Sequence, residues 1–267
     1  MQRLTAPCLT ALLAIVFLIT TGCSSTYTVP GPAAEMKNFG ITPADQREKL
    51  TDYQIKKELE RKPLATFPAN LCIARVQGSG YGNYHRQYSY GRGTYSVVLT
   101  RDNLVETDEH FEKIAGLPMV AGLAPLNRML LPSELKSDME LRQAAAKLHA
   151  QIILLYTFDT HFYNENSASP ADVITFGFGK HQNIRITTTA SAALLDVRNG
   201  YVYGVAEATA EHEQPTNSWN NEEKADESRR QAEAQAFDQL VTQLTHTWKG
   251  VVHTYAVPPT TAAVQDQ

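Results

Sequence analysis

The chain has 267 residues, 43% of them hydrophobic, with 24 Lys and Arg against 28 Asp and Glu for a formal net charge of −4. That mild acidity argues against a nucleic-acid partner, because neutralising phosphates needs clustered Lys and Arg. With three cysteines, two of them in the first 23 residues, no disulfide framework or zinc cluster is expected, and stability must come from a packed core.

Residues 1–22 read as an export signal. Arg3 supplies a positive start, Leu9 to Ile19 form an apolar run, and Thr20, Thr21 and Gly22 follow directly before Cys23. The apolar run is well short of the ~20 residues that span hydrocarbon. The segment resembles the lipobox of bacterial lipoproteins, with Thr20 where that pattern usually has Leu. The resemblance implies acylation of Cys23, which becomes the mature N-terminus. Ser24 in place of Asp implies an outer-membrane destination facing the periplasm. Residues 23–40, rich in Ser, Thr, Pro and Gly, have the composition of a flexible linker.

Residues 41–64 read as a helical arm opened by Thr42 and Pro43 and closed at Lys62-Pro63, with a thin apolar stripe of Leu50, Ile55 and Leu59. An α/β domain is expected over 65–252. It begins with a strand at Leu71–Val76, where Cys72 reads as a buried small hydrophobe. A second strand follows at Tyr95–Thr100. Between the two, from Gln77 to Tyr95, lie five Gly and five Tyr with His85, Arg86 and Arg92. Tyrosines held among glycines supply contact area at low entropic cost. Tyr81, Tyr84, His85, Arg86, Tyr88, Tyr90 and Arg92 are therefore the candidate partner-binding residues. Alternatively, the segment is a long hairpin connection lying over the sheet.

Further along, a short helix is expected around His110–Leu117, and Met119–Pro132 carries strand and loop signals together. Ser137-Asp138-Met139-Glu140 is a capping box, opening a helix that buries Leu141, Ala144, Ala145 and Leu148. Gln151–Tyr163 is a long strand, apolar on both faces early and alternating late. Val173–Gly179 and Asn183–Val197 follow as strands. Asn199-Gly200 predicts a two-residue type I′ hairpin turn into Tyr201–Glu211. The last element is a helix from about Ser218 to Trp248, with Ala225, Ala232, Ala236, Leu240, Leu244 and Trp248 on its buried stripe. Leu244 is expected against the sheet and Glu233 among solvent-facing charges. Residues 253–267 have the composition of a disordered tail.

No catalytic constellation stands out. Asp159 and His161 share one face of their strand with Thr157, but the opposite set of Tyr156, Phe158 and Phe162 is apolar, so the pair reads as a solvated face. The eight histidines show no metal spacing, there is no Gly-x-Ser-x-Gly elbow, and no cofactor is expected. The order helix, apolar strand, strand, "ALLDVRNGYVYG" and amphipathic helix, over Ser137 to Lys249, is similar to the core of curli assembly/transport-type outer-membrane lipoproteins. That resemblance implies an α/β sandwich with a mixed sheet and a role in assembly at the outer membrane, sometimes as a pore. The fold expected is thus α/β (α+β), one domain with a mixed, mostly antiparallel sheet packed against amphipathic helices and an extended N-terminal arm. The function expected is a non-enzymatic, lipid-anchored binding or assembly module with an envelope protein or the cell wall as partner. The alternatives are an oligomeric secretion or pore component and a small envelope hydrolase.

Overall fold

A computed structural model of the chain describes residues 52–78, 95–98, 105–132, 135, 137–165, 182–216 and 221–256. In order these form α1 (Asp52–Glu60), β1 (Ala69–Gly78), β2 (Tyr95–Val98), α2 (Asp108–Ala115), β3 (Val120–Pro125), a 3-10 turn (Arg128–Leu130), α3 (Asp138–Lys147), β4 (Ile152–Glu165), β5 (Gln182–Asp196), β6 (Val202–Thr216) and α4 (Asn221–Tyr255). The mixed α/β architecture expected from the sequence is present. The strands form one mixed sheet in the order β2-β1-β4-β5-β6. β1 carries two neighbours on its outer side, β3 in parallel along Ala69–Ile73 and β2 in antiparallel along Arg75–Gly78. Its inner side pairs in parallel with β4 from Leu71↔Ile152 to Ala74↔Leu155.

Side-chain alternation divides the core into two layers. On one face, Leu71, Ile73, Ile152, Leu154, Phe158, Ala190 and Leu194 meet α4 through Phe237, Leu240, Val241, Leu244 and Trp248, with Phe111 and Ile114 of α2 beside them. On the other, Cys72, Ala74, Val76, Ile153, Leu155 and Leu195 meet Leu141, Ala144 and Ala145 of α3. The continuous apolar run at Ile152–Leu155 is explained by this burial on both sides. α4 lies close to β6: a Cβ built on Gly204 would sit 2.6 Å from Thr247 Cγ2, and Thr247 Oγ1 donates to Val205 O at 3.3 Å. Leu244 is buried at 4% exposure. Leu244→Ala should therefore cost about 2–5 kcal/mol in a denaturant titration.

Burial in the α3-facing layer pushes the Cys72 thiol up to about 12. The thiolate is the reactive form, so Cys72 should resist alkylation at pH 8 in the folded chain and react on unfolding. The unfolded thiol ionises near 8.5. Between there and 12 only the unfolded state releases the proton, so stability should fall as pH rises through that window.

The starts of α2 and α3, on opposite faces of the sheet, are both capped. Ser137 N donates to Glu140 Oε2 at 3.2 Å in the capping box of α3. Thr107 and His110 form the equivalent box on α2. The ambiguous Met119–Pro132 stretch resolves into β3 followed by the 3-10 turn. α4 runs to Tyr255, seven residues past Trp248, because its last turn has a partner: Tyr255 OH and Tyr201 OH lie 2.9 Å apart. That hydrogen bond and burial hold the Tyr255 phenol above its ordinary range.

Two expectations are corrected. The β5–β6 connection is not a two-residue type I′ turn. Asp196 N donates to Tyr201 O at 2.8 Å and Gly200 N to Asp196 O at 2.8 Å, so the loop is residues 197–200, with left-handed backbone at Gly200 (φ 74°) but not at Asn199. Side chains favour this longer loop: Asp196 Oδ1 accepts from Arg198 N at 2.8 Å and Asn199 Oδ1 from Tyr201 N at 2.9 Å. Secondly, Glu233 is not on a solvent face but fully buried, together with Asp226 and Arg229. The expected strand at Val173–Gly179 and the start of the arm at Thr42 lie outside the described residues.

Candidate partner-binding surface

Cys23 and the candidate residues Tyr81, Tyr84, His85, Arg86, Tyr88, Tyr90 and Arg92 lie outside the described residues. The base of their segment is described. Gly78 of β1 and Tyr95 of β2 are directly opposed in an antiparallel pair, so the chain between them leaves and returns at one point on the sheet edge.

That base is firmly built. β1 and β4 stop pairing through their backbones after Ala74↔Leu155, and the side chain of Gln77 continues the ladder. Its Oε1 accepts from Phe158 N at 2.7 Å and from Thr157 Oγ1 at 3.0 Å, and its Nε2 donates to Phe158 O at 3.0 Å. Gln77 is fully buried, so these bonds satisfy groups whose desolvation would otherwise be costly.

Two residues earlier, Arg75 opens a buried ionic network. Its guanidinium lies 4.5 Å above the Phe158 ring, a cation–π position. Nη1 is 3.2 Å from Glu106 Oε1 and Nη2 3.8 Å from Glu233 Oε2. Tyr156 OH donates to the same Glu106 oxygen at 3.1 Å. Arg229 Nη1 reaches both oxygens of Glu233 at 2.7 Å, and its Nε and Nη2 reach Asp226 Oδ1 at 3.1 and 2.9 Å. The network therefore ties together β1, the segment before α2 and the first half of α4. Arginine does not release its proton in proteins, so these contacts fix positions rather than relay protons.

The Asp159–His161 pair sits on the opposite sheet face. His161 Nε2 and Asp159 Oδ2 are 3.4 Å apart and both side chains are well exposed. Among the described residues no third group orients the imidazole. Neighbouring polar side chains on this face are engaged with each other across strands: Thr189 with Thr209 at 2.9 Å, Ser191 with Glu207 at 3.0 Å, and Arg185 with Glu213. Such pairs stabilise a sheet. Among the described residues no three His, Cys, Asp or Glu converge as metal ligands.

The buried network escaped the sequence reading, although a signal was present. Asp226, Arg229 and Glu233 continue, at three- and four-residue steps, the stripe of Phe237, Leu240, Leu244 and Trp248. Position along the stripe was informative where residue type was not.

The chain matches no protein-family model and no curated protein sequence. Among solved structures it is similar to the crystal structure of "a putative lipoprotein from Caulobacter crescentus CB15", with a TM-score of 0.24 and 14% identity, covering 42% of this chain and 81% of that one. A likeness at that level leaves the function of this chain to its own residues.

Proposed function

We propose that the protein is a lipid-anchored envelope protein, facing the periplasm from the outer membrane, whose α/β domain binds a partner without catalysing a reaction. The carrying observation is the leader that ends in Gly22-Cys23 after an apolar run too short to span a bilayer. No described helix is long and apolar enough to cross a membrane. Acyl chains supply the attachment, at about 0.8 kcal/mol per buried methylene. Cys23→Ser should abolish fatty-acid labelling and release the chain from the membrane fraction. Labelling that persists in Cys23→Ser would refute the anchor.

Partner capture is assigned to Tyr81, Tyr84, His85, Arg86, Tyr88, Tyr90 and Arg92. The Gly78–Tyr95 pair supports this by giving a long Tyr/Gly segment a single fixed base. A second reading, an oligomeric secretion or pore component, draws on the β4–β5 pair. Those strands stay in register from Ile152↔Asp196 to Glu165↔Asn183, so residues 166–181 connect the arms of one long hairpin. Size analysis in detergent separates the two readings, because a pore needs a ring of many copies.

A further inference from the structure

Four of the large apolar side chains left exposed lie in or just after α1: Tyr53, Ile55, Leu59 (81% exposed) and Leu64. Ile55 and Leu59, four residues apart, share one helix face. α1 is held to the body by the segment that follows it. Leu64 N and Ala65 N donate to Asp196 Oδ2 at 2.8 and 2.9 Å, and Asn199 Nδ2 donates to Lys62 O at 2.7 Å. Phe67 packs its ring against Trp248 and Tyr203.

This strap brings further apolar groups to the same end of the molecule. A Cβ on Gly200 would lie 3.3 Å from both Arg61 Nη1 and Asp138 Oδ2, so the arm, the β5–β6 loop and the start of α3 converge there. Met139 (64% exposed) follows Asp138, and the exposed Val202 follows the loop. The charges at this end are unequal. Glu58 is paired with Arg61 at 2.7 Å, Glu60 with Lys56 at 3.7 Å, and Asp138 with Arg142 at 2.7 Å. Among the described residues Lys62 and Arg198 have no acidic partner, and Asp52 has no basic one.

We propose that this end, bearing Ile55, Leu59, Leu64, Met139 and Val202 with Lys62 and Arg198 beside them, seats on the surface of the bilayer that holds the N-terminus. The inference rests on the lipid-anchor reading. Two observations select a lipid surface over other occupants. Asp52, the described residue nearest to Cys23 in sequence, belongs to this same end, so the acyl anchor is tethered to it. In addition, apolar groups beside cations that have no acidic partner among the described residues suit the boundary between acyl chains and anionic headgroups. The strap makes the contact an orienting one, setting the sheet at a fixed attitude to the membrane and carrying the β1–β2 connection with it.

Site-directed spin labels on the acylated full chain, in vesicles of phosphatidylethanolamine and phosphatidylglycerol, test this directly. Cys72 is buried with a raised thiol pKa, so labels go to the introduced cysteines: Leu59→Cys, Met139→Cys and, as the distant control, Glu211→Cys. The control lies nine residues beyond Val202 on β6, about 30 Å away at roughly 3.4 Å per residue. Labels at 59 and 139 should be severalfold more accessible to oxygen than to a water-soluble nickel chelate, with the ratio reversed at 211. Equal, water-like accessibility at all three positions, in protein that floats with the vesicles, would overturn the seating while leaving the anchor intact. Shielding of 59 and 139 from both reagents would mean that protein, not lipid, covers this end, and would overturn it as well. Failure of acylated chain to float would defeat the anchor and the seating together.

Discussion

Glu233→Ala should destabilise the domain by about 3–5 kcal/mol, the usual result of removing one partner from a buried ion pair. Glu233 is fully buried and its carboxylate accepts from Arg229 while facing Arg75 at 3.8 Å. Removing it leaves two guanidinium groups in a low-dielectric interior with less compensating charge, and desolvated charge is the expensive case. Glu227→Ala, six residues earlier on the exposed side, should change stability by no more than about 0.5 kcal/mol. Chemical denaturation of the two variants measures the contrast. Added salt should change it little, because buried pairs are screened much less than surface pairs. Equal, small effects would show that the network does not close in solution as described.

Asp196→Ala carries the second large effect, at least about 3 kcal/mol, taking ~1.5 kcal/mol for each of two charge-assisted bonds as the lower bound. The Asp196 carboxylate is fully buried and accepts from Leu64 N, Ala65 N, Tyr203 OH and Arg198 N, all within 2.8–2.9 Å. Burial, with this carboxylate beside it, holds the Tyr203 phenol well above its ordinary range. Asp196→Asn should rescue only in part: with its oxygen towards Leu64 N, Ala65 N and Tyr203 OH, its NH2 faces the Arg198 N–H donor. Both variants should speed hydrogen exchange at the Leu64 and Ala65 amides more than at the centre of β4. Uniform acceleration across the sheet would mean that Asp196 supports the fold as a whole and has no special hold on the arm.

Local chemistry was legible where it was self-contained. The Ser137–Glu140 capping box, the apolar run of β4 and the stripe of α4 each follow from spacing within one element, and each is present. What escaped depends on residues far apart in sequence. Gln77 could be understood only once β1 and β4 were seen to part after Leu155, and Arg75 only with Glu106 and Glu233 beside it. Asn199-Gly200 misled for the same reason. The dipeptide favours a tight turn, but Asp196 and the strap residues at 62–65 stabilise a longer loop. Charged residue types on α4 suggest a solvated face, but Asp226, Arg229 and Glu233 pair with one another inside the core, where Arg75 of β1 joins them. Of the candidate site, the structure adds the base, where Gly78 meets Tyr95.

The most direct measurement is crosslinking capture in intact envelopes, comparing the natural chain with one whose residues 79–92 are shortened to a tight turn. The Gly78–Tyr95 pair is compatible with a short connection, so the shortened chain should keep its thermal midpoint and its membrane attachment while losing the crosslinked partner. Capture undiminished by the shortening would contradict the assignment of recognition to Tyr81, Tyr84, His85, Arg86, Tyr88, Tyr90 and Arg92. Unfolding of the shortened chain would contradict it too, by showing that those tyrosines belong to the core.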